Sequence, residues 1–445
     1  MERGETSLIE VIDYFGYGSF SLKLTVVVGF LWFLDGIEIT LISLLAPQLK
    51  CKWNLTSFQA AMTSASVFIG MASGAIFWGK LADKLGRKPF SILGTAVIFY
   101  FGLLTTMTYN FAWFMAMRFF VGIGLGSIIL SPIYVTELIS RRYQGKVMLG
   151  IQFFFAFGNF YVAFLAYAVM NRFGWRVFVF LAATPIAFTF PLFIWLPESV
   201  HYLENIGAVD KIMKVLRVIS LEHKMRVPKN IVFRKRVKDR GSLSKVFVKK
   251  DRGNSLLLIF LFVFVMVTYF GVVLLNTELE EKSGYHKETG TCRSLTDREY
   301  LQNMFVVFGE VPGLLVFMLV VDKVSHKTAF LSAFAIISVG LLVLWKFYTS
   351  IYVRTFVMFI LRGTATSSLQ IVWLYSAASS PTSYRATLLG LCSGTGRWAL
   401  IFVPLLVQYL VHVSFTGTIF VFIAINMLSS AIILIREKNV ASQKS

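Results

Sequence analysis

The chain has 445 residues, of which 56% are hydrophobic, 16% aromatic and only 15% charged. Globular domains carry about a quarter charged residues, so this composition excludes a water-soluble protein. The formal charge is +20, yet the basic residues gather in alternate loops with no aromatic-interleaved module, which excludes a nucleic-acid binder and suits one face of a lipid bilayer.

Twelve apolar runs are long enough to cross a bilayer at ~1.5 Å per residue. They fall at 22–45, 57–80, 89–108, 112–135, 147–170 and 177–197, then at 254–276, 301–321, 329–348, 352–377, 386–411 and 415–435. No small-residue cleavage site follows the first run, which therefore reads as a retained helix. Past it stand Cys51 and the sequon Asn54-Leu-Thr56, the latter so near the membrane that its glycosylation is disfavoured. Cys51 and Cys292 share one side of the membrane and are either bridged or free thiols, whereas Cys392 lies within a helix. Between the second and third runs comes Gly79-Lys-Leu-Ala-Asp83-Lys-Leu-Gly86-Arg87-Lys88. Its glycines permit a tight turn, and Asp83 with Arg87 and Lys88 supplies opposite charges that can lock neighbouring helix ends. The fourth run holds Arg118-Phe-Phe-Val-Gly122-Ile-Gly124-Leu-Gly126, small residues that let another helix approach closely. No strand precedes them, so a dinucleotide loop is excluded.

Residues 198–253 form the one long hydrophilic interruption, with Lys211, Lys214, Arg217, Arg234, Lys235, Arg236, Lys249 and Lys250. Val209, Ile212, Val215, Leu216 and Ile219 recur within it at helical spacing, predicting short amphipathic helices on the membrane face. The charge bias puts this segment and both termini in the cytoplasm. The chain thus divides into a six-helix half (1–197), a basic linker (198–253) and a second six-helix half (254–445). Asp322 echoes Asp83 and Arg362 echoes Arg118 at offsets of 239 and 244 residues, which indicates duplication.

Six ionisable residues stand inside the runs: Asp35, Glu38, Arg118, Glu310, Arg362 and Arg397. Each costs ~2.5–3.5 kcal/mol at helix-centre depth, so each needs a reason, either static helix pairing or a polar transport path. Asp35 and Glu38, three residues apart, share one helix face. Arg397 requires a carboxylate, from Glu310 or from a substrate anion. Catalysis is not indicated: the five histidines are scattered, and neither a metal-ligand spacing nor a cofactor loop is present.

These features resemble the major facilitator superfamily over nearly the whole chain, the loop at 79–88 matching its signature. The nearest resemblance is to the branch of organic-ion transporters and synaptic-vesicle-two-related (SVOP) proteins. It rests on Trp32-Phe-Leu-Asp35-Gly-Ile-Glu38, Leu45-Ala-Pro-Gln48-Leu-Lys-Cys51-Lys-Trp53, Pro197-Glu198-Ser199, Tyr269-Phe-Gly271, Leu274-Leu-Asn-Thr-Glu278-Leu279 and Glu310-Val-Pro312. The resemblance implies an all-α membrane fold of about twelve helices in two pseudo-symmetric halves, with a substrate site near the midplane. Departures are Ser325-His326-Lys327 in the second signature loop, Ala378 for a family Glu and Gln144 for a family Arg.

The resemblance also implies roles. Proton-coupled sugar porters carry an Asp and an Arg at the positions of Asp35 and Arg118, so Asp35 is expected to be ionised against Arg118 in one state and protonated in the other, with Glu38 assisting. Arg397 matches the Arg of organic-anion carriers, and Gln152 a polar binding position of sugar porters. Asn159, Tyr269, Trp373 and Glu310 are expected around the same cavity. Asp83, Arg87, Glu137, Asp322 and Arg385 are expected to form the cytoplasmic gate. The expected protein is a monomeric transporter of a small organic anion or zwitterion, coupled to protons and needing no cofactor or metal. The alternatives are an uncoupled facilitator and a non-transporting binding protein of a vesicle or plasma membrane.

Overall fold

The computed structural model describes residues 6–128, 131–228, 231–232, 252–284, 295–321, 323–380 and 385–442. Almost all of them are helical. After a short amphipathic helix α1 (Leu8–Phe15), the first half runs through α2 (Ser19–Trp53), α3 (Ser57–Leu85), α4 (Arg87–Thr106), α5 (Phe111–Ile128), α6 (Pro132–Leu138), α7 (Arg141–Ala187) and α8 (Thr189–Trp195). Two connecting helices follow, α9 (Val200–Asn205) and α10 (Val209–His223). The remainder comprises α11 (Arg252–Gly284), α12 (Asp297–Phe308), α13 (Glu310–Val320), α14 (His326–Phe347), α15 (Ile351–Ala378), α16 (Arg385–Leu400), a π-helical turn (Leu405–Tyr409), α17 (Leu410–Val413) and α18 (Phe415–Ser442).

Among the described residues, 11 helical stretches are long and apolar enough to span a bilayer, one of them the 55-residue segment Arg141–Trp195. Gly174, at φ +80°, breaks that segment into two crossings, as only glycine does without strain. Twelve crossings result, in agreement with the sequence. Residues such as Phe180 and Leu319 stay exposed on the bundle's outside, where lipid replaces water. Local chemistry sets the ends. Asn54 closes α2 in the left-handed conformation, and Thr56 with Gln59 forms a capping box that starts α3.

Close backbone crossings hold each half together. A Cβ on Gly70, Gly74, Gly122 or Gly126 would collide with backbone across the α3–α5 crossing, and one on Gly309, Gly313 or Gly363 would do so across α12–α13 and α15. The run at 122–126 therefore serves packing: Gly122 and Gly126 face α3, and Gly124 faces α4. Gly70 with Gly74 repeats as Gly309 with Gly313 at an offset of 239, and their facing residues Phe119 and Ile123 repeat as Phe359 and Gly363 at 240. By that packing register, Arg362 lies one turn beyond the position equivalent to Arg118.

The connecting helices differ from expectation. Ile212, Val215, Leu216 and Ile219 are buried, and α10 packs on α1, α2 and α9 rather than presenting its apolar face to lipid. Val11, Ile12 and Phe15 of α1 supply the missing apolar surface, which an inspection of 198–253 alone does not anticipate. His223 Nδ1 donates to the Phe15 carbonyl (2.8 Å), Glu222 pairs with Lys23 (3.1 Å), and Thr6–Ser7 (β1) pairs in parallel with Ile231–Val232 (β2).

Candidate functional site

The crossing of α2 with α7 is as tight as the others, since a Cβ on Gly36 would meet the Phe155 carbonyl oxygen and one on Gly158 that of Phe33. This contact sets Thr40 beside Asn159. Glu38 is buried and accepts from Arg118 Nη1 at 2.8 Å, while Arg118 Nε and Nη2 are buried without a partner. The expected Asp35–Arg118 pair is thus replaced by Glu38–Arg118. Both acids share a face of α2, but Glu38 stands one turn further along and its longer side chain reaches the guanidinium. Asp35 keeps some accessible surface, and its Oδ1 has no hydrogen-bond partner. The main opposite charge acting on Asp35 is Arg397 on α16. No hydrogen bond or ion pair joins the two; Arg397 Nη1 donates instead to Ser393 Oγ at 2.6 Å.

Glu310 does not meet Arg397. Its Oε1 accepts from Arg362 Nε at 2.6 Å and from the Tyr269 hydroxyl at 3.2 Å, and its Oε2 accepts from Asn159 Nδ2 at 2.7 Å. The reason is the glycine crossing of α13 on α15, which brings Arg362 against Glu310. Asn159 Oδ1 in turn accepts from the Thr40 hydroxyl at 2.8 Å, and Arg362 Nη2 donates to Thr40 Oγ1 at 3.5 Å. Thr40, Asn159, Tyr269, Glu310 and Arg362 are all buried, and their bonds tie α2 and α7 to α11, α13 and α15. Gln152 is buried two turns before Asn159, and Trp373 stands edge-on to Phe262 at 4.8 Å.

The bundle has one face bearing the described chain ends and α10, and an opposite face. At the opposite face polar bonds join the halves: Gln48 Nε2 to the Tyr300 hydroxyl (2.7 Å), Asn171 Nδ2 to Asp297 (2.7 Å), and His412 between Lys50 (3.3 Å) and Glu278 (3.0 Å). At the terminal face the described bonds stay within one half. Arg87 pairs with Glu137 at 3.8 Å, and Glu198 accepts from the backbone N–H of Arg87 (2.6 Å) and Lys88 (3.2 Å). The Ser199 hydroxyl donates to Glu137. Gln144 donates to the carbonyls of Thr136 (3.1 Å) and Ile139 (2.9 Å). Asp322 and the side chains of Asp83 and Arg385 lie outside the described residues. Cys51 is disulfide-bonded, Cys392 is a buried free thiol, and Cys292 lies outside the described residues.

Several participants escape sequence reading. Glu278 and Glu280 are buried although they lie beyond the apolar run at 254–276, and Arg354 is buried near the start of the tenth. Thr40 has no signal separating it from other membrane threonines. Glu198 was legible only as part of a motif, and its backbone-capping role required the fold.

The profile of the sugar (and other) transporter family matches residues 24–441. The chain belongs to this family. It is a multi-pass membrane transporter with the major facilitator fold, in a family of carriers rather than enzymes. The transporter is 31% identical over 430 residues to the synaptic vesicle 2-related protein of Pongo abelii, covering 94% of this chain and 78% of that one. It is 27% identical over 441 residues to the organic cation/carnitine transporter 7 of Arabidopsis thaliana, covering 91% and 88%. Its fold matches the xylose transporter XylE from E. coli in a partially occluded inward-open conformation, with a TM-score of 0.74 at 19% identity, covering 94% of this chain and 97% of that one.

Proposed function

We propose that this transporter moves a small organic ion, an anion or a zwitterion, coupled to protons by alternating access. The supporting observation is Asp35 with Arg397: an acid and a base from the two halves, electrostatic neighbours with no ion pair between them. A buried guanidinium whose hydrogen-bond partner among the described residues is a serine hydroxyl has capacity for a carboxylate, and Asp35 has capacity for a proton or an ammonium. The kinship with a carrier named for organic cations and carnitine, itself a zwitterion, supports the same class. In this reading Arg118 exchanges partners, held by Glu38 in one state and reached by Asp35 in the other. Gln152, Tyr269 and Trp373 line the site, and Asn159 and Glu310 close it.

The opposite-face bonds act as the closed gate, and the terminal face opens toward the cytoplasm, with both termini there by charge bias. Asp83, Arg87, Glu137, Asp322 and Arg385 serve the cytoplasmic gate. The three-part division into 1–197, 198–253 and 254–445 is the corresponding mechanical unit, and the working form is the monomer. The name of the Pongo relative supports a vesicle membrane. One observation favours an uncoupled facilitator: Glu310 is saturated by Arg362, Tyr269 and Asn159, as a static pair would be.

Uptake of labelled organic anions, cations and zwitterions into proteoliposomes, with and without an imposed pH gradient, tests this. The gradient is expected to drive accumulation in the wild type. Asp35→Asn is expected to abolish that accumulation while sparing exchange at equal pH, and Arg397→Ala to weaken the apparent affinity for carboxylate substrates. Full gradient-driven uptake by Asp35→Asn would overturn the coupling.

A further inference from the structure

At the opposite face a single atom carries two contacts that cannot both be hydrogen bonds. His412 Nε2 lies 3.3 Å from Lys50 Nζ and 3.0 Å from Glu278 Oε2. Lys50 lies in the last turn of α2, in the first half, whereas His412 on α17 and Glu278 on α11 belong to the second. A ring nitrogen offers one lone pair or one N–H, never both. With the lone pair, Nε2 accepts from the Lys50 ammonium and confronts the Glu278 carboxylate. With the N–H, it donates to Glu278 and confronts Lys50. Once the ring is charged both its nitrogens carry hydrogen, so the bond to Lys50 is lost outright.

The surroundings suit a switch at this ring. The His412 side chain is 23% exposed, so water at that face reaches it, while that of Glu278 is 3% exposed. Among the described residues, α17 packs on the π-helical turn and on α18. The turn brings Tyr409, whose ring stands 6.1 Å from that of Phe58 on α3, and residues 415–435 of α18 contain no titratable side chain. From α2 come Lys50 and, two residues on, Lys52. From α11 come Glu278 and the buried Glu280, whose charged neighbours are Arg354 and Glu299. Lys50 and Glu278 each make a further interaction besides these. Histidine is the side chain whose ordinary titration falls between about pH 5 and 8. The other described bonds that join the halves at this face, Gln48 to Tyr300 and Asn171 to Asp297, contain none.

We propose that His412 is a proton-operated latch between the halves: neutral, it accepts from Lys50 and holds the opposite face shut; protonated, it turns to Glu278 within its own half and repels Lys50. The proton comes from water at that face, and Lys50 keeps its own. Acid on that side therefore favours opening there. The latch rests on the reading of the opposite-face bonds as a closed gate, and it is separate from the midplane acid Asp35.

Pulsed dipolar EPR on the full-length chain in nanodiscs tests this, with a readout that does not itself depend on pH. Nitroxide labels are placed on Met107→Cys, just past α4, and Tyr352→Cys, at the start of α15, both exposed positions and one in each half. Non-reducing conditions keep Cys51 bonded, and Cys392 is buried. Samples frozen at about pH 7.5 and about pH 5.5 bracket the titration of histidine. In the chain with His412 intact, a longer-distance component is expected to grow severalfold from neutral to acid. His412→Gln, whose uncharged amide both accepts from Lys50 and donates to Glu278, is expected to keep the short distance at both. His412→Lys, a permanent cation, is expected to show the longer component at both. Should His412→Lys fail to accumulate, the other two chains decide. Gln48→Ala with Asn171→Ala is the control for the gate and is expected to lengthen the distance at neutral pH. No pH response, a response that survives in His412→Gln, or a His412→Lys chain that stays closed overturns the latch. If the latch fails while the control lengthens the distance, the gate reading stands without it; if the control is silent too, the gate reading falls as well.

Discussion

Replacing Arg362 with methionine removes the one cation bonded to Glu310 among the described residues, in a place where neither group reaches solvent. Breaking one partner from a buried pair costs about 3–5 kcal/mol, because the surviving charge stays desolvated. Glu310 retains two neutral donors, the Tyr269 hydroxyl and the Asn159 amide, which place the loss near the lower end, at about 3 kcal/mol. At about 2–4 °C per kcal/mol for a unit of some 200 residues, the unfolding midpoint falls by about 6–12 °C. The control is the double substitution Glu310→Gln with Arg362→Met, which leaves no buried charge and is expected to recover most of the loss. Static light scattering or intrinsic tryptophan fluorescence during a heating ramp in detergent, at a fixed scan rate, reads both. A single-variant drop under about 2 °C, or a double variant no better than the single, would refute the view that Glu310 depends on Arg362.

Other perturbations probe separate contacts. Gly36→Val places bulk against the Phe155 carbonyl, so accumulation of monodisperse protein is expected to fall sharply, whereas Gly150→Val, with open space at its Cβ, is expected to leave size-exclusion profiles unchanged. Glu198→Ala removes the cap from the backbone N–H groups of Arg87 and Lys88 and is expected to cost about 1 kcal/mol, seen as a lower midpoint in the same heating assay. Gln48→Ala combined with Asn171→Ala severs two of the bonds joining the halves at the opposite face. Maleimide labelling of a cysteine introduced at Ser43, a buried position of α2, is expected to become faster from that face, and an unchanged rate would count against a gate there.

Much of the architecture was written in hydropathy and in a few motifs, because a bilayer demands long apolar runs and leaves charges only where they are neutralised. Partner choice was not written there. Asp35 and Glu38 differ by one turn, a distinction that periodicity cannot make, and only the level of Arg118 against α2 selects Glu38. Likewise Glu310 had two arginines to choose from, and the Gly313–Gly363 approach decided for Arg362 over Arg397. Glu278 and Glu280 were hidden by composition itself: two acids ending an apolar run look like a helix emerging into water, yet α11 continues to Gly284 with both buried. The fate of α10 was hidden for another reason. Its apolar stripe was visible, but whether lipid or protein covered it depended on Leu8–Phe15, some 200 residues away in the chain.

That last contact orders events during synthesis. Thr6 pairs with Ile231, so the strand's partner is made about 225 residues after the strand itself. At ~5–20 residues per second the amino terminus waits roughly 10–45 s before its seat exists. Six crossings must be threaded into the bilayer within that interval, while Val11, Ile12 and Phe15 have no partner. Closure of α1 on α10 then staples a finished first half before most of the second has left the ribosome. A tag that blocks Thr6 would accordingly injure biogenesis early, at the stage of the first half, and leave the later helices without a completed neighbour to assemble against.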